Sequence, residues 1–283
     1  MSENQTNANP RLVEQIVTPF IDSIVLGDNV ATMKQLPDEC IDLTVTSPPY
    51  DDLRTYGGHS WDFEGVAMEL FRVTKKGGVV VWVVGDATVD GSETGTSFRQ
   101  ALRFMGIGFK LHDTMIYECN KPPLTHKRYE QAFEYMFVFV KAQIKTFNPK
   151  MKKNLYFGKN CLRNGEWASG KENSAMRQRE GEKQIKEYGM QNNIWRYEIG
   201  GNKTTKDKIA FDHPAVFPEK LAEDHIASWS NKGDTVLDPF SGSGTTCKIA
   251  KELGRHFIGC EVNQTYVEIS NQRLRQEVFV FEV

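Results

Sequence analysis

Residues able to do chemistry concentrate in two stretches, Thr46-Ser47-Pro48-Pro49-Tyr50 and Asp238-Pro239-Phe240-Ser241-Gly242-Ser243-Gly244-Thr245-Thr246. The first follows Cys40-Ile41-Asp42-Leu43-Thr44-Val45, a short apolar run with β-branched residues that predicts a buried strand. Pro48 and Pro49 have no N–H to give and each fixes its own φ, so they end strand pairing. Residues just past the carboxyl end of a strand in an open α/β sheet stand where ligands bind. The segment thus presents a hydroxyl, a stiff turn with free carbonyls and an aromatic face at a sheet edge. That set suits a planar base bearing an amino group. Ser47 and the carbonyl beside the prolines accept its two N–H bonds, and Tyr50 stacks on the ring. Taken alone, the segment reads equally well as a Pro-Pro loop that closes a strand.

The second stretch reads as strand, glycine turn and helix start. Gly242 and Gly244 let the backbone turn tightly and leave space for a ligand against main-chain N–H groups. Thr245-Thr246 begins a helix running to Leu253, whose N-terminal dipole favours a nearby carboxylate. The next expected strand, His256 to Glu261, ends in an acid suited to ribose hydroxyls. A nicotinamide-dinucleotide site follows the same logic, but its third glycine is missing from the run Gly-Ser-Gly-Thr-Thr-Cys.

Together, Ser47-Pro48-Pro49-Tyr50 and the Phe240-Ser241-Gly242-Ser243-Gly244 turn resemble the amino-methylating DNA methyltransferases, with motif-like segments over most of residues 22–275. The resemblance implies S-adenosyl-L-methionine as cofactor and an exocyclic amine of cytosine or adenine as acceptor. It implies a Rossmann-like α/β fold with a mostly parallel seven-stranded sheet. The catalytic motif precedes the cofactor motif with a basic block between them, the circularly permuted arrangement called the beta class. By the same resemblance Ser47, Pro48, Pro49 and Tyr50 carry catalysis. Asp28, Phe217, Asp238, Phe240, Gly242, Gly244, Thr245 and Glu261 hold the cofactor. Asp28 falls in a Gly-Asp element near the cofactor's adenine, and is equally readable as a helix N-cap. Phe217 belongs to the His213–Pro218 region that shapes the methionine end, and Glu261 takes the ribose. Serine in place of an acid at position 47 resembles the cytosine enzymes more than the adenine ones, so N4-methylcytosine is the expected product and N6-methyladenine the alternative. A non-catalytic DNA-binding relative is a third reading.

These residues need a scaffold to place them. Asp22 to Asp28 predicts a strand, Asn29 to Leu36 a helix, and Val79 to Val84 a buried strand after the stop Lys75-Lys76-Gly77-Gly78. Phe63, Val66, Leu70 and Val73 share a helical face, as do Phe98, Ala101, Leu102 and Met105. Strands are expected at Asp113–Cys119 and Glu134–Lys141, and a helix at Glu219–Ser228. Continuous apolar strands alternating with helices imply a mostly parallel sheet covered on both faces. Between the motif and the first of those helices, Asp51 to Trp61 suits a loop over DNA, with Arg54 on a phosphate and Tyr56 stacking.

Composition is that of an ordinary globular chain, with 25% charged and 39% apolar residues. No apolar run approaches bilayer length and no signal peptide opens the chain. The five scattered cysteines, without a CxxC pair, read as reduced thiols and not as a zinc site or disulfide frame. None follows a proline, so the nucleophile of ring-carbon cytosine methyltransferases is missing. No ligand spacing supports a metal role for His213 or His225. The expected setting is a prokaryotic cytoplasm, nucleoid-associated when on DNA. Double-stranded DNA is the expected partner, with a cognate restriction endonuclease as functional companion, no membrane, and a homodimer left open.

Net charge is −2, but residues 145–208 hold fifteen Lys and Arg against seven acids, a net +8, which leaves −10 on the remainder. Such segregation marks a local nucleic-acid footprint on an acidic body. The expected organisation is a catalytic half at 11–141, a basic target-recognition insertion at 142–212, and a cofactor-binding half at 213–283. Trp167 and Trp195 are expected to pack a small core within the insertion. DNA affinity should fall steeply with salt, with a log–log slope near ~0.9 per phosphate contact. Titration of labelled duplex across a salt series checks this, and a flat response would make the segment a solvated loop.

Overall fold

The computed structural model describes residues 16–49, 61–120, 129–162, 182–200 and 203–276. Tyr50, Arg54, Tyr56 and Trp167 lie outside the described residues. The chain divides into two compact units, one of residues 1–148 with 193–283 and one of Pro149–Asn192.

The larger unit is built on one sheet. Its strands are β1 (Ser23–Leu26), β2 (Ile41–Thr46), β3 (Thr74–Val84), β4 (Lys110–Cys119), β5 (Phe133–Val140), β6 (Ile194–Tyr197), β7 (Thr235–Asp238) and β8 (His256–Glu261). They lie in the order β1-β8-β7-β2-β3-β5-β4-β6, and every pairing is parallel except the two made by β5. The sheet has eight strands where seven were expected. The eighth, β6, comes from the segment that its charge had assigned to the insertion, and it pairs with β4 from Ile194↔Ile116 to Tyr197↔Cys119.

The helices are α1 (Asn29–Met33), α2 (Phe63–Val73), α3 (Thr96–Ile107), α4 (Glu219–Trp229), α5 (Thr245–Glu252) and α6 (Gln264–Leu274). Strand alternation sends Leu43, Val45, Val79, Val81 and Val138 into one core with Leu221, Ile226, Ile249 and Val267 of α4, α5 and α6. Their neighbours Val80, Trp82, Phe137 and Phe139 enter a second core with Met33, Leu70 and Phe104 of α1, α2 and α3, joined by Ile41 across a register shift in β2. Central strands buried on both faces must be apolar throughout, which is why β3 reads Val-Val-Val-Trp-Val-Val without alternation.

Three expectations change. Lys75 to Gly78 do not separate helix from strand: α2 ends at Val73 and β3 begins at Thr74, with the Gly77 N–H donating to the Lys141 carbonyl at 2.6 Å. α3 forms as expected but turns a different face inward. Ser97, Gln100, Ala101 and Phe104 are buried, whereas Phe98, Leu102 and Met105 are exposed. Polar needs set that rotation. The buried Trp82 indole N–H donates to Gln100 Oε1 at 2.9 Å, and Ser97 donates through both N–H and hydroxyl to Asp86. The compact unit Pro149–Asn192 falls within the expected 142–212 insertion, and residues 193–200 and 203–212 cluster with the larger unit. Trp195 accordingly packs the main core, its ring 4.8 Å from that of His225.

Cys40, Cys119, Cys247 and Cys260 are buried free thiols. Among the described residues no helix is long and apolar enough to cross a membrane.

Phe104 is fully buried, stacked on Phe139 at 4.8 Å and edge-on to Trp82 at 5.0 Å. Phe104→Ala should destabilise the chain by about 3–5 kcal/mol through lost burial and the cavity left behind. Urea denaturation measures the loss.

Candidate active site

β2 and β7 are neighbours although about 190 residues separate them, and the chain leaves them in opposite directions across the sheet, β2 to β3 and β7 to β8. Such a topological switch point opens a crevice at the carboxyl ends of the strands. Ser47-Pro48-Pro49 leaves β2 there, and Pro239-Phe240 leaves β7 beside it.

Three hydrogen bonds fix this junction, two of them between the two sides and one from α1. Thr46 Oγ1 donates to Asp238 Oδ1 at 2.7 Å in the buried interior. Thr246, at the start of α5, donates from Oγ1 to the Val45 carbonyl at 3.2 Å. Asn29 of α1 donates from Nδ2 to the Pro239 carbonyl at 3.1 Å. Ser47 and Pro49 remain half-buried at this junction, and Pro48 is buried.

The glycine turn is fixed from both sides. Gly244 caps α5 in the left-handed region, φ 76°, and a Cβ there would meet Ser270 Cβ at 2.8 Å. At Gly242 a Cβ would meet the His213 ring at 3.0 Å, and the Gly242 carbonyl accepts from Ser270 Oγ at 2.7 Å. Glu261, at the end of β8, receives the Gly242 N–H at 2.9 Å on one carboxylate oxygen and the Asn263 N–H at 2.8 Å on the other. The adjacent strand end carries Asp28, two residues past the Leu26↔Glu261 pair. Its exposed side chain caps α1 by accepting the Ala31 N–H at 2.8 Å, which is the simpler of its two expected roles.

Behind the turn lies a charged network that sequence reading missed. Arg273 of α6 is fully buried and donates to the Ser243 carbonyl at 2.6 Å, to Thr245 Oγ1 at 3.0 Å and to Glu219 at 2.8 Å. Lys248 reaches Asp207 at 2.7 Å and Glu219 at 2.9 Å. Burial acts to raise the Asp207 carboxyl, yet Lys248 and Arg273 hold it below its ordinary value. A buried arginine is tolerated only with such pairing. Its one sequence signal is a place on the inner face of α6 with Val267, Ser270 and Leu274.

The remaining expected site residues are placed as follows. Phe240 is half-buried, its ring 4.9 Å from Trp61 and 6.2 Å from Trp82. Trp61 thus packs against Phe240 and Trp82 beside the turn. Phe217 packs partly buried against the core under α4. Thr245 turns its hydroxyl to Arg273 and is buried. Asp238 is also buried, and sits beneath the crevice as a structural hub.

Carboxylates on two adjacent strand ends beside a glycine turn and a helix start form a donor set that fits S-adenosylmethionine. They provide acceptors for ribose hydroxyls and for an adenine amine, and a dipole end for a carboxylate.

Burial pushes the Asp238 carboxyl up from 3.8 to about 6; the Thr46 hydroxyl and Phe240 N–H lower it and Glu261 raises it. The folded protein therefore binds this proton more tightly than the unfolded chain does. The stability it contributes is full below pH 3.8 and is lost as pH rises through about 6. Asp238→Asn keeps an acceptor for Thr46 without the titration. Relative to wild type, its stability should rise by roughly 2 kcal/mol between pH 4 and 7. Paired denaturation curves at each pH give the difference.

Comparison with known proteins agrees with this geometry. A family model described as "DNA methylase" (N6_N4_Mtase) matches residues 41–272. The orphan methyltransferase M.BamHII of Bacillus amyloliquefaciens is 53% identical over 88% of this chain and 94% of its own length. The type II methyltransferase M.BglII of Bacillus subtilis is 26% identical over 91% of this chain and 70% of its own. Among solved structures, the cytosine-N4-specific PvuII DNA methyltransferase superposes with a TM-score of 0.65 at 22% identity, over 90% of this chain and 86% of that one. TTHA0409 of Thermus thermophilus, in complex with S-adenosyl-L-methionine, gives 0.61 at 24%, over 92% and 95%. The chain belongs to the N6/N4 DNA methylase family, and is an S-adenosylmethionine-dependent DNA methyltransferase of Rossmann-like fold.

Proposed function

We propose that this enzyme methylates the exocyclic amine of cytosine in duplex DNA, yielding N4-methylcytosine, and that the basic Pro149–Asn192 unit is the core of its target-recognition insertion. The observation that carries the base assignment is Ser47. A neutral hydroxyl stands at the switch point where an acid would favour adenine. A hydroxyl accepts from the amine and donates elsewhere, whereas an ionised carboxylate only accepts. Cytosine's amine lies beside a ring nitrogen that carries much of the ring's proton affinity, so a neutral partner suffices when geometry is right. The name of the PvuII enzyme, cytosine-N4-specific, is consistent with this reading.

The target base leaves the duplex, because an in-line approach to a methyl carbon is impossible inside the stack. Ser47 Oγ and the Pro48 carbonyl then accept the two amine N–H bonds, and Tyr50 stacks on the ring. This alignment turns the nitrogen lone pair out of conjugation and toward the incoming carbon. Serine is too weakly basic to deprotonate a neutral amine, so catalysis is alignment first, with proton loss after transfer. S-adenosylmethionine, when bound, supplies a methyl group on a cationic sulfur. Glu261 takes the ribose hydroxyls, Asp28 the adenine amine, and the Gly242–Thr245 turn the methionine carboxylate, with Phe217 and Phe240 walling the ligand. Asp238 acts from beneath by holding Thr46, and through it the start of the catalytic motif.

N6-methyladenine is the second reading, since an adenine amine has the same hydrogen-bonding needs. Digesting DNA incubated with protein and cofactor to nucleosides, and weighing them, separates the two. N4-methylcytosine is expected, with product lost in Ser47→Ala and in Tyr50→Ala. N6-methyladenine as sole product would overturn the base assignment alone. Calorimetry with the demethylated cofactor product should show weaker binding in Glu261→Ala, and unchanged affinity would sink that residue's role.

A further inference from the structure

The Pro149–Asn192 unit carries large apolar side chains that it does not bury. Among its described residues none belongs to a hydrophobic core, and Met151, Tyr188 and Met190 of its short antiparallel ribbon are exposed. The extreme case is three consecutive residues at one tight turn: Leu155 is 93% exposed, Tyr156 60% and Phe157 55%. This turn is held in shape. Asn154 N–H donates to the Glu187 carbonyl at 2.8 Å, Gly158 N–H to the Ile185 carbonyl at 3.1 Å, and Ile185 N–H to the Lys159 carbonyl at 3.0 Å. Asn154 Nδ2 adds a bond to the Lys186 carbonyl at 2.9 Å. The apolar side chains are thus displayed on a stapled backbone and are not a product of slack chain.

Their surroundings select the occupant. By sequence the unit has ten Lys and Arg against five acids, a net +5. Lys152, Lys153, Lys159 and Lys186 are exposed around the turn, and the Lys159 ammonium lies over the Tyr156 ring at 5.2 Å. A rigid apolar tip ringed by cations matches a polyanion that can offer flat apolar faces. Duplex DNA with locally unstacked bases is such a surface. We infer that Leu155-Tyr156-Phe157 is a wedge that seats against unstacked bases of the substrate duplex, with the lysines on flanking phosphates. The inference rests on the recognition role proposed for this unit, and adds the element that enters the DNA.

The two kinds of interaction respond differently to salt. Lysines that neutralise phosphates release counterions, whereas stacking does not. The test uses the full chain with S-adenosylhomocysteine and a labelled random-sequence duplex, fully paired or carrying a two-nucleotide bubble, over a salt series. Tyr156→Ser with Phe157→Ser should weaken binding about tenfold at every salt concentration with an unchanged slope. Lys152→Gln with Lys153→Gln should flatten the slope by ~0.9 for each phosphate no longer neutralised. Wild type should prefer the bubble, where unstacking is already done, and the Tyr156/Phe157 variant should lose that preference. Unchanged cofactor affinity in each variant establishes that the core is folded. A Tyr156/Phe157 variant that binds both duplexes as wild type does would overturn the wedge. So would conversion of a wild-type dimer to monomer with DNA affinity unchanged, which would assign the patch to self-association. If wild type binds no duplex even at low salt, the recognition role itself falls.

Discussion

The buried hydrogen bond from Thr46 to Asp238 is the constraint on which the site depends. It closes a distance of 192 residues and joins the last residue of β2 to the last residue of β7. Together with the β2–β7 pairing, it holds the Ser-Pro-Pro segment beside the Phe-Ser-Gly-Ser-Gly segment. It fixes the separation of the two segments to which the proposed function assigns amine alignment and methyl-donor binding. The bond costs the protein something, since Asp238 is desolvated and its carboxyl is pushed up to about 6. That penalty is local, and is offset where the Thr46 hydroxyl and Phe240 N–H both donate to the same oxygen.

A second layer of fixation lies behind the glycine turn. Arg273, Glu219, Asp207 and Lys248 come from four distant segments and meet in one ion-pair cluster. Isolated buried charges would be strongly destabilising, but here each finds opposite charge and the guanidinium also satisfies the Ser243 carbonyl. The cluster grips the turn through the Ser243 carbonyl and the Thr245 hydroxyl. It holds the turn's rear face, so that the front face keeps the shape a ligand needs, and binding is not spent on ordering the loop.

The two units of the chain solve different problems. The larger buries two continuous cores on either side of its sheet, whereas the smaller exposes Met151, Leu155, Tyr156, Phe157, Tyr188 and Met190 together with Lys152, Lys153, Lys159 and Lys186. The recognition role proposed for the smaller unit calls for a surface that is completed only on the substrate. Charge segregation along the chain follows that division of labour.

Local chemistry was legible in the sequence because it depends on neighbours along the chain. Val79 to Val84 had to be a buried strand, Pro48-Pro49 had to end one, and the Gly242–Gly244 turn had to precede a helix. From those the α/β class followed, and the cofactor came from the resemblance that the two motifs together carry to the amino-methylating DNA methyltransferases. Rotations and partners were not legible, since they depend on groups far away. The face that α3 buries was decided by Trp82 and Asp86 needing Gln100 and Ser97, against the apolar pattern of Phe98, Leu102 and Met105. Charge alone did not show that Ile194–Tyr197 form β6, which alternates buried and exposed residues beside β4, a pairing that no count of lysines reveals. Arg273 read as one more basic residue near the end of the chain. Only the packing of α6 behind the glycine turn makes it a buried clamp, because the carbonyl, hydroxyls and carboxylates that offset its desolvation come from elsewhere in the fold.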